Sequence, residues 1–207
     1  MYVLCHDPYG QNQSADSTSL GAAYVVKRPN NLSQPDDIIV ASYVGRPQTQ
    51  DDYNRNLFLL ADYYGCKIGF ENDRGEVIAY AKRYRKLHKL QEEFEMLDKR
   101  ELRSKTVKRQ YGMHLTEARK RQGEIYIRDW LNTVRRTDEN GNKLLNLHKI
   151  YDLAFLTELM KFNHHGNFDR VMAFMIAMYH TRELYNVEVK DVLEDRATDK
   201  WFDKNYY

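Results

Sequence analysis

Three acidic residues far apart in the chain sit where a strand or helix would present a carboxylate to one shared point. They are Asp7 in Val-Leu-Cys-His-Asp, Glu71 in Ile-Gly-Phe-Glu-Asn-Asp and Asp169 in Gly-Asn-Phe-Asp-Arg-Val-Met-Ala. Asp7 and Glu71 each end a short apolar run, and Asp169 opens an apolar helical stretch. Burying an acid in such surroundings is costly unless its charge is compensated, and a divalent cation would do so. A strand-end Asp, a second-strand Glu and a helix-borne Asp, in that order, are what a two-metal phosphodiesterase needs. Two Mg²⁺ or Mn²⁺ ions about 4 Å apart, held by hard oxygen ligands, activate a water and stabilise the leaving oxygen. Asp7 would bridge the two ions. Each acid also has a plainer reading: Asp7 before Pro8 begins a turn, Glu71 is a strand-end surface acid, and Asp169 in a first helical turn suits the helix dipole. The ordered set of three points to metal chemistry.

The elements that must position these acids follow from the periodicity. Tyr2–Cys5 is an apolar run, and a polar connection leads from Asp7 to Ser19 into Leu20–Val26. Pro29, Asn30, Asn31 and Pro35 separate that segment from Ile38–Val44, and both segments are rich in β-branched and aromatic residues. This predicts three successive antiparallel strands. From Thr49, the spacing of Tyr53, Leu57, Leu60 and Ala61 predicts a helix that Gly65 stops, and Lys67–Glu71 reads as a fourth strand returning beside the first. A helix is expected from Gly75 to about Leu97, another over Thr116–Val134 despite Gly123, a turn at Asp138–Asn142, an amphipathic helix over Leu147–Phe162, and a buried helix over Phe168–His180. The fold class is α/β: a mixed sheet, antiparallel meander plus parallel strand, flanked by helices.

With 207 residues, 42 % of them hydrophobic and 13 % aromatic, the chain can fill one packed domain. No apolar run approaches the ~20 residues of a membrane span. Met1 leads directly into a strand-like segment with no charged-then-apolar signal pattern, so a soluble, intracellular protein is expected. Cys5 and Cys66 lie in apolar segments without metal-ligand spacing and are expected to be buried free thiols. The net charge of +2 hides an asymmetry: residues 1–81 carry −4, residues 82–121 carry +8 and residues 122–207 carry −2. The middle is a basic band of the kind that attracts polyanions, unless it is merely the solvated face of a helix.

The chain resembles the nuclease domain of the large terminase subunit of tailed bacteriophages, which has the RNase H-like fold. The resemblance runs from Tyr2 to about Tyr179 and is carried by Asp-Pro-Tyr-Gly at 7–10 with Asp16-Ser-Thr-Ser-Leu, by Val44-Gly-Arg-Pro and by Phe70-Glu-Asn-Asp-Arg-Gly. Tyr126-Ile-Arg-Asp-Trp-Leu and Gly166-Asn-Phe-Asp-Arg-Val-Met-Ala complete the ordered set. It implies an RNase H-like terminase nuclease domain over 1–181, followed by a C-terminal tail over 182–207. In that family the first-strand Asp, the fourth-strand acid and the helix-borne Asp hold the metals, which map to Asp7, Glu71 and Asp169. Many relatives carry a second acid before the final Asp. Phe168 stands there in this chain, which leaves Asp73 or Asp16 as candidates for a further ligand. No Gly-x-x-x-x-Gly-Lys-Ser/Thr phosphate loop occurs, so the chain looks like the nuclease half alone, either excised or separately encoded.

The resemblance implies an endonuclease that cuts concatemeric viral DNA during genome packaging, with two Mg²⁺ or Mn²⁺ ions as cofactors. Implied partners are double-stranded DNA, the terminase ATPase domain, the small terminase subunit and the portal protein. The implied location is the cytoplasm of the infected bacterial host, outside the mature virion. It also gives the basic band weight. Lys82, Arg83, Arg85, Lys86, Lys105, Lys108 and Arg109 become candidate phosphate contacts, and helical spacing predicts one shared face for Lys82, Arg85, Lys86 and Lys89. His164 and His165 read as loop histidines beside a helix capped by Asn167. Two alternatives remain at this stage. One keeps the fold and changes the substrate, giving a Holliday-junction resolvase or a transposase-like nuclease. The other is a non-catalytic interaction module of the packaging motor.

Overall fold

A computed structural model describes residues 1–9, 19–28, 37–72, 76–92, 111–163 and 166–182. Three strands, β1 (Tyr2–Asp7), β2 (Gly21–Lys27) and β3 (Ile38–Gly45), form an antiparallel meander, as their β-branched and aromatic content and the turn residues between them predict. Helix α1 (Gln50–Tyr64) follows. The Thr49 hydroxyl caps it by accepting from the Asp52 N–H, and Gly65 ends it at φ 61°, in the left-handed region open to glycine. The chain then returns as β4 (Ile68–Phe70), parallel to β1, so the sheet order is β3-β2-β1-β4.

Both faces of this sheet are covered. Alternate residues of β1 and β2 (Val3, Cys5, Ala22, Tyr24, Val26) face one core, and their neighbours (Leu4, Ala23, Val25) face a second core made with α1, α2 (Glu76–Arg83) and Leu90. The first core holds α3 (Glu117–Leu131), α4 (Leu153–Lys161) and α5 (residues 169–182). The two central strands are therefore apolar on both sides and read as near-continuous hydrophobic runs. Helix α5 is buried along most of its length, as its composition predicts. Gly123 in α3 marks a close approach, since a Cβ there would fall 2.3 Å from Cγ of Met175 on α5.

Several expected boundaries move. Of the helix predicted from Gly75 to about Leu97, the first described stretch stops at Arg83, while Gly75 and residues 93–97 lie outside the described residues. Arg85 adopts φ 56°, its N–H bonds the Lys82 carbonyl and the Lys86 N–H bonds the Ala81 carbonyl, the pattern of a Schellman stop. Leu87–Lys89 make a short 3₁₀ turn, and Leu90 bridges to Ile68 beside the sheet. The helix predicted over Leu147–Phe162 begins only at Leu153, where the Asp152 carboxylate accepts the Phe155 N–H, and Asn146–Lys149 form a 3₁₀ turn instead. The Asp138–Asn142 turn closes a hairpin of β5 (Val134–Thr137) and β6 (Lys143–Leu145) that the sequence did not announce. The predicted boundary at 181 falls in the last described turn of α5, and residues 183–207 lie outside the described set.

Buried polar side chains tie the layers together. The Trp130 indole donates to Asp37 at 2.6 Å, and the Tyr24 hydroxyl donates to Asp152 at 2.8 Å. Cys5 and Cys66 are buried free thiols, as expected, and burial pushes Cys66 up to about 11. Among the described residues, no helix is long and apolar enough to cross a membrane.

His180 on α5 is 3 % exposed, and burial, reinforced by the charge of Arg28, pushes its pKa down to about 3. The unfolded histidine titrates near 6.5, so as pH falls the unfolded chain takes up the proton first. The stabilisation is complete above that value and is lost between about 6.5 and about 3, at up to about 1.4 kcal/mol per pH unit. His6, held at about 3 by burial, adds a parallel loss. His180→Gln is therefore expected to lower the slope of unfolding free energy against pH in this window by up to about 1.4 kcal/mol per pH unit, as read by urea denaturation. An unchanged slope would show that His180 titrates alike in the folded and unfolded chain.

Candidate metal centre

The sheet brings the three acids to one end and one face. His6 on β1 and Phe70 on β4 are register partners in a parallel pair, so Asp7 and Glu71 leave the ends of adjacent strands side by side, about 4.8 Å apart in backbone spacing. Side chains alternate along a strand, so both acids point away from His6 and Phe70, towards the face covered by α5. Glu71 is held further by a bridge to Met113. Asp169 is the first residue of α5, and its Oδ2 accepts the N–H of Leu20 at 2.8 Å. Leu20 leads into β2, whose Ala22 pairs with Asp7.

Asp169 is 8 % exposed. Its Oδ2 also accepts from Asn167 at 3.2 Å, and the Ser19 hydroxyl donates to its Oδ1 at 3.4 Å. Burial pushes its pKa above the ordinary carboxylate range, the Leu20 N–H opposes the rise, and the negative charge of Glu158 adds to it. The donors around the carboxylate thus compensate its charge only in part, and a cation would supply the remainder. An all-oxygen donor set suits Mg²⁺ or Mn²⁺. Among the described residues, no three His, Cys, Asp or Glu side chains stand close enough together to hold a metal ion, so the acids share an end of the sheet without closing to ligand distance. Asp16 and Asp73, the candidate further ligands, lie outside the described residues, as do His164 and His165. Phe168, rather than Asn167, accepts the first backbone bond of α5, from the Met172 N–H.

The basic band is arranged differently from its prediction. Helix α2 ends before Arg85, so Lys82, Arg85, Lys86 and Lys89 have no common helical face. Lys86 and Lys89 both pair with Asp62 near the end of α1, at 2.9 and 2.7 Å, and Arg83 pairs with Asp51. Lys89 lines a cleft with Tyr2, Lys67 and His180, at the end of the sheet opposite the acids. Lys82 and Arg85 are exposed, and Lys105, Lys108 and Arg109 lie outside the described residues. Among the described residues, Arg46 is a cation placed near that end, where its Nη1 donates to the Ser19 carbonyl at 3.3 Å. Reasoning from charge runs passes over it because it stands alone; its one sequence signal is its place in Val44-Gly-Arg-Pro.

The protein is thus a mixed α/β protein, with helices on both faces of a mixed sheet and acids gathered at one sheet end. No family model and no curated protein matches the chain.

Proposed function

We propose that the protein is a metal-dependent DNA endonuclease with an RNase H-like fold. The observation that carries this reading is the convergence of Asp7, Glu71 and Asp169 on one end and one face of a β3-β2-β1-β4 sheet. Asp7 and Glu71 would hold the ions from the strand ends and Asp169 from the start of α5. The chemistry such ions supply when bound is polarisation of the phosphodiester and acidification of water. The residues of the chain do the positioning: Leu20, Ser19 and Asn167 fix the Asp169 carboxylate, and the sheet register fixes Asp7 against Glu71. Through the resemblance above, the substrate is concatemeric viral DNA in the host cytoplasm. The partners are the terminase ATPase domain, the small subunit and the portal.

Titration of Mn²⁺ or Mg²⁺ against supercoiled plasmid tests the activity, and nicked and linear products are expected. Intact DNA at every metal concentration would leave an interaction module, and preferential cutting of four-way junctions over linear duplex would favour a resolvase. Binding to the folded state should also raise the melting temperature, with about 1.4 kcal/mol of stabilisation at ten times Kd. Glu71→Gln is expected to remove most of that rise. The same shift in Glu71→Gln would put the cation elsewhere.

A further inference from the structure

The same sheet end carries, on the face packed by α1 and opposite the face of the acids, an aromatic stack with a guanidinium at its edge. Tyr43 of β3 stacks on Tyr53 of α1 with ring centroids 4.9 Å apart, and Tyr9 meets Tyr53 edge-on at 5.6 Å. The Arg46 guanidinium lies 5.4 Å from the centre of the Tyr9 ring. Gly21 makes room for the stack, because a Cβ there would fall 2.4 Å from Cε2 of Tyr53. The Tyr9 hydroxyl donates to the Pro47 carbonyl at 3.1 Å, which ties the ring to the residue after Arg46. From this seat Arg46 donates to the Ser19 carbonyl, and the Ser19 hydroxyl donates to Asp169.

Tyr53 marks the same place independently. It is wholly buried, and its hydroxyl has no hydrogen-bond partner among the described residues. Its ring end lies over Gly21, between Leu20, which bonds Asp169, and Ala22, which pairs with Asp7. Its pKa is raised by burial first and then by Asp7, with Asp169 contributing. Tyr53 thus lies against the backbone that holds Asp169 and pairs with Asp7.

We infer that Arg46, seated on the Tyr43–Tyr53–Tyr9 stack, grips a backbone phosphate of the DNA next to the acids; this rests on the nuclease reading. A phosphodiester approaching three carboxylates is repelled, and a guanidinium at their border offsets that repulsion. Its planar fork matches two phosphate oxygens, a geometry that the single ammonium of a lysine lacks. The ring beneath it and the bond to Ser19 set its direction before the duplex arrives, so little side-chain entropy is lost on binding.

The test is the salt dependence of duplex binding in EDTA, by fluorescence anisotropy, for the full chain and for Arg46→Gln and Arg46→Lys. Arg46→Gln should bind roughly tenfold more weakly at low salt and flatten the slope of log K against log salt by about 0.9. Arg46→Lys keeps the charge and should keep the slope, yet cut DNA more slowly than the parent because the fork is lost. The Mn²⁺-induced rise in melting temperature should survive in both variants. An unchanged slope in Arg46→Gln overturns the inference whether or not the parent cuts DNA. Should Arg46→Gln fail to fold, parental cutting by Arg46→Lys overturns it equally. A parent that neither cuts DNA nor gains stability from Mn²⁺ overturns the nuclease reading instead, and the slope comparison still decides Arg46.

Discussion

Asp7→Asn and Asp169→Asn are expected to lose more than about a hundredfold in DNA cleavage while remaining folded. Outer-shell partners of a metal typically contribute 10–100-fold to its affinity or to activity, and a direct ligand should exceed that range. The stability side follows from the sign of the Asp169 shift. Its folded pKa is raised, chiefly by burial, so as pH rises the unfolded chain releases this proton first. The ionised carboxylate therefore costs folding stability, a cost that grows from about pH 3.9 up to the raised folded pKa and stays constant above it. An amide at position 169 is neutral and still offers an oxygen to the Leu20 N–H. At neutral pH without metal, Asp169→Asn should melt no lower than the parent. Plasmid nicking and thermal melts on the same preparations check both halves. Full cutting by either variant would remove that carboxylate from the chemistry and sink the three-acid assignment.

Phe174→Ala is expected to be the most damaging single truncation in the fold, costing about 3–5 kcal/mol. Phe174 is fully buried on α5 at the junction of three elements. Its ring centroid lies 5.0 Å from Trp130 of α3, 5.0 Å from Phe155 of α4 and 6.2 Å from Tyr24 of β2. Truncation removes the apolar area of a whole ring and leaves a cavity that these neighbours cannot close. Trp130 is held to Asp37 and Tyr24 to Asp152 by hydrogen bonds, so neither ring can collapse inward without breaking one. For a chain of this size, about 2–4 °C is lost per kcal/mol, which predicts a drop of about 10 °C in melting temperature. A drop under about 3 °C would mean that the three helices on this face pack without depending on that ring.

The sheet and α1 were legible because their signals are local. Apolar runs rich in β-branched and aromatic residues mark β1 to β3, and Thr49 and Gly65 bracket α1 with residues suited to its two ends. The stop of α2 was not legible, because the left-handed position that glycine usually fills is taken by Arg85 inside a run of basic residues. The β5–β6 hairpin was missed for a related reason. Val134-Arg-Arg-Thr and Lys143-Leu-Leu are short and largely exposed, so they carry no alternation, and only the Asp138–Asn142 turn between them has a sequence signal.

The residue types of the candidate site were determined by the sequence itself: acids at the ends of apolar runs are conspicuous wherever the chain later goes. Their arrangement was decided by tertiary structure. The bond from the Leu20 N–H to Asp169 joins residues 149 apart, and the β1–β4 register that sets Asp7 beside Glu71 exists only once α1 has carried the chain back across the sheet. The cations show the same division more sharply. A run such as Lys82 to Lys89 is plain in sequence, but the stop after Arg83 and the carboxylate of Asp62 draw Lys86 and Lys89 to the far end. Arg46, alone in its segment, lies over the Tyr9 ring and bonds the Ser19 carbonyl, a placement that no charge run along the chain signals. Sequence pattern registers neighbours along the chain, whereas a charge acts on whatever packing brings within a few ångströms of it.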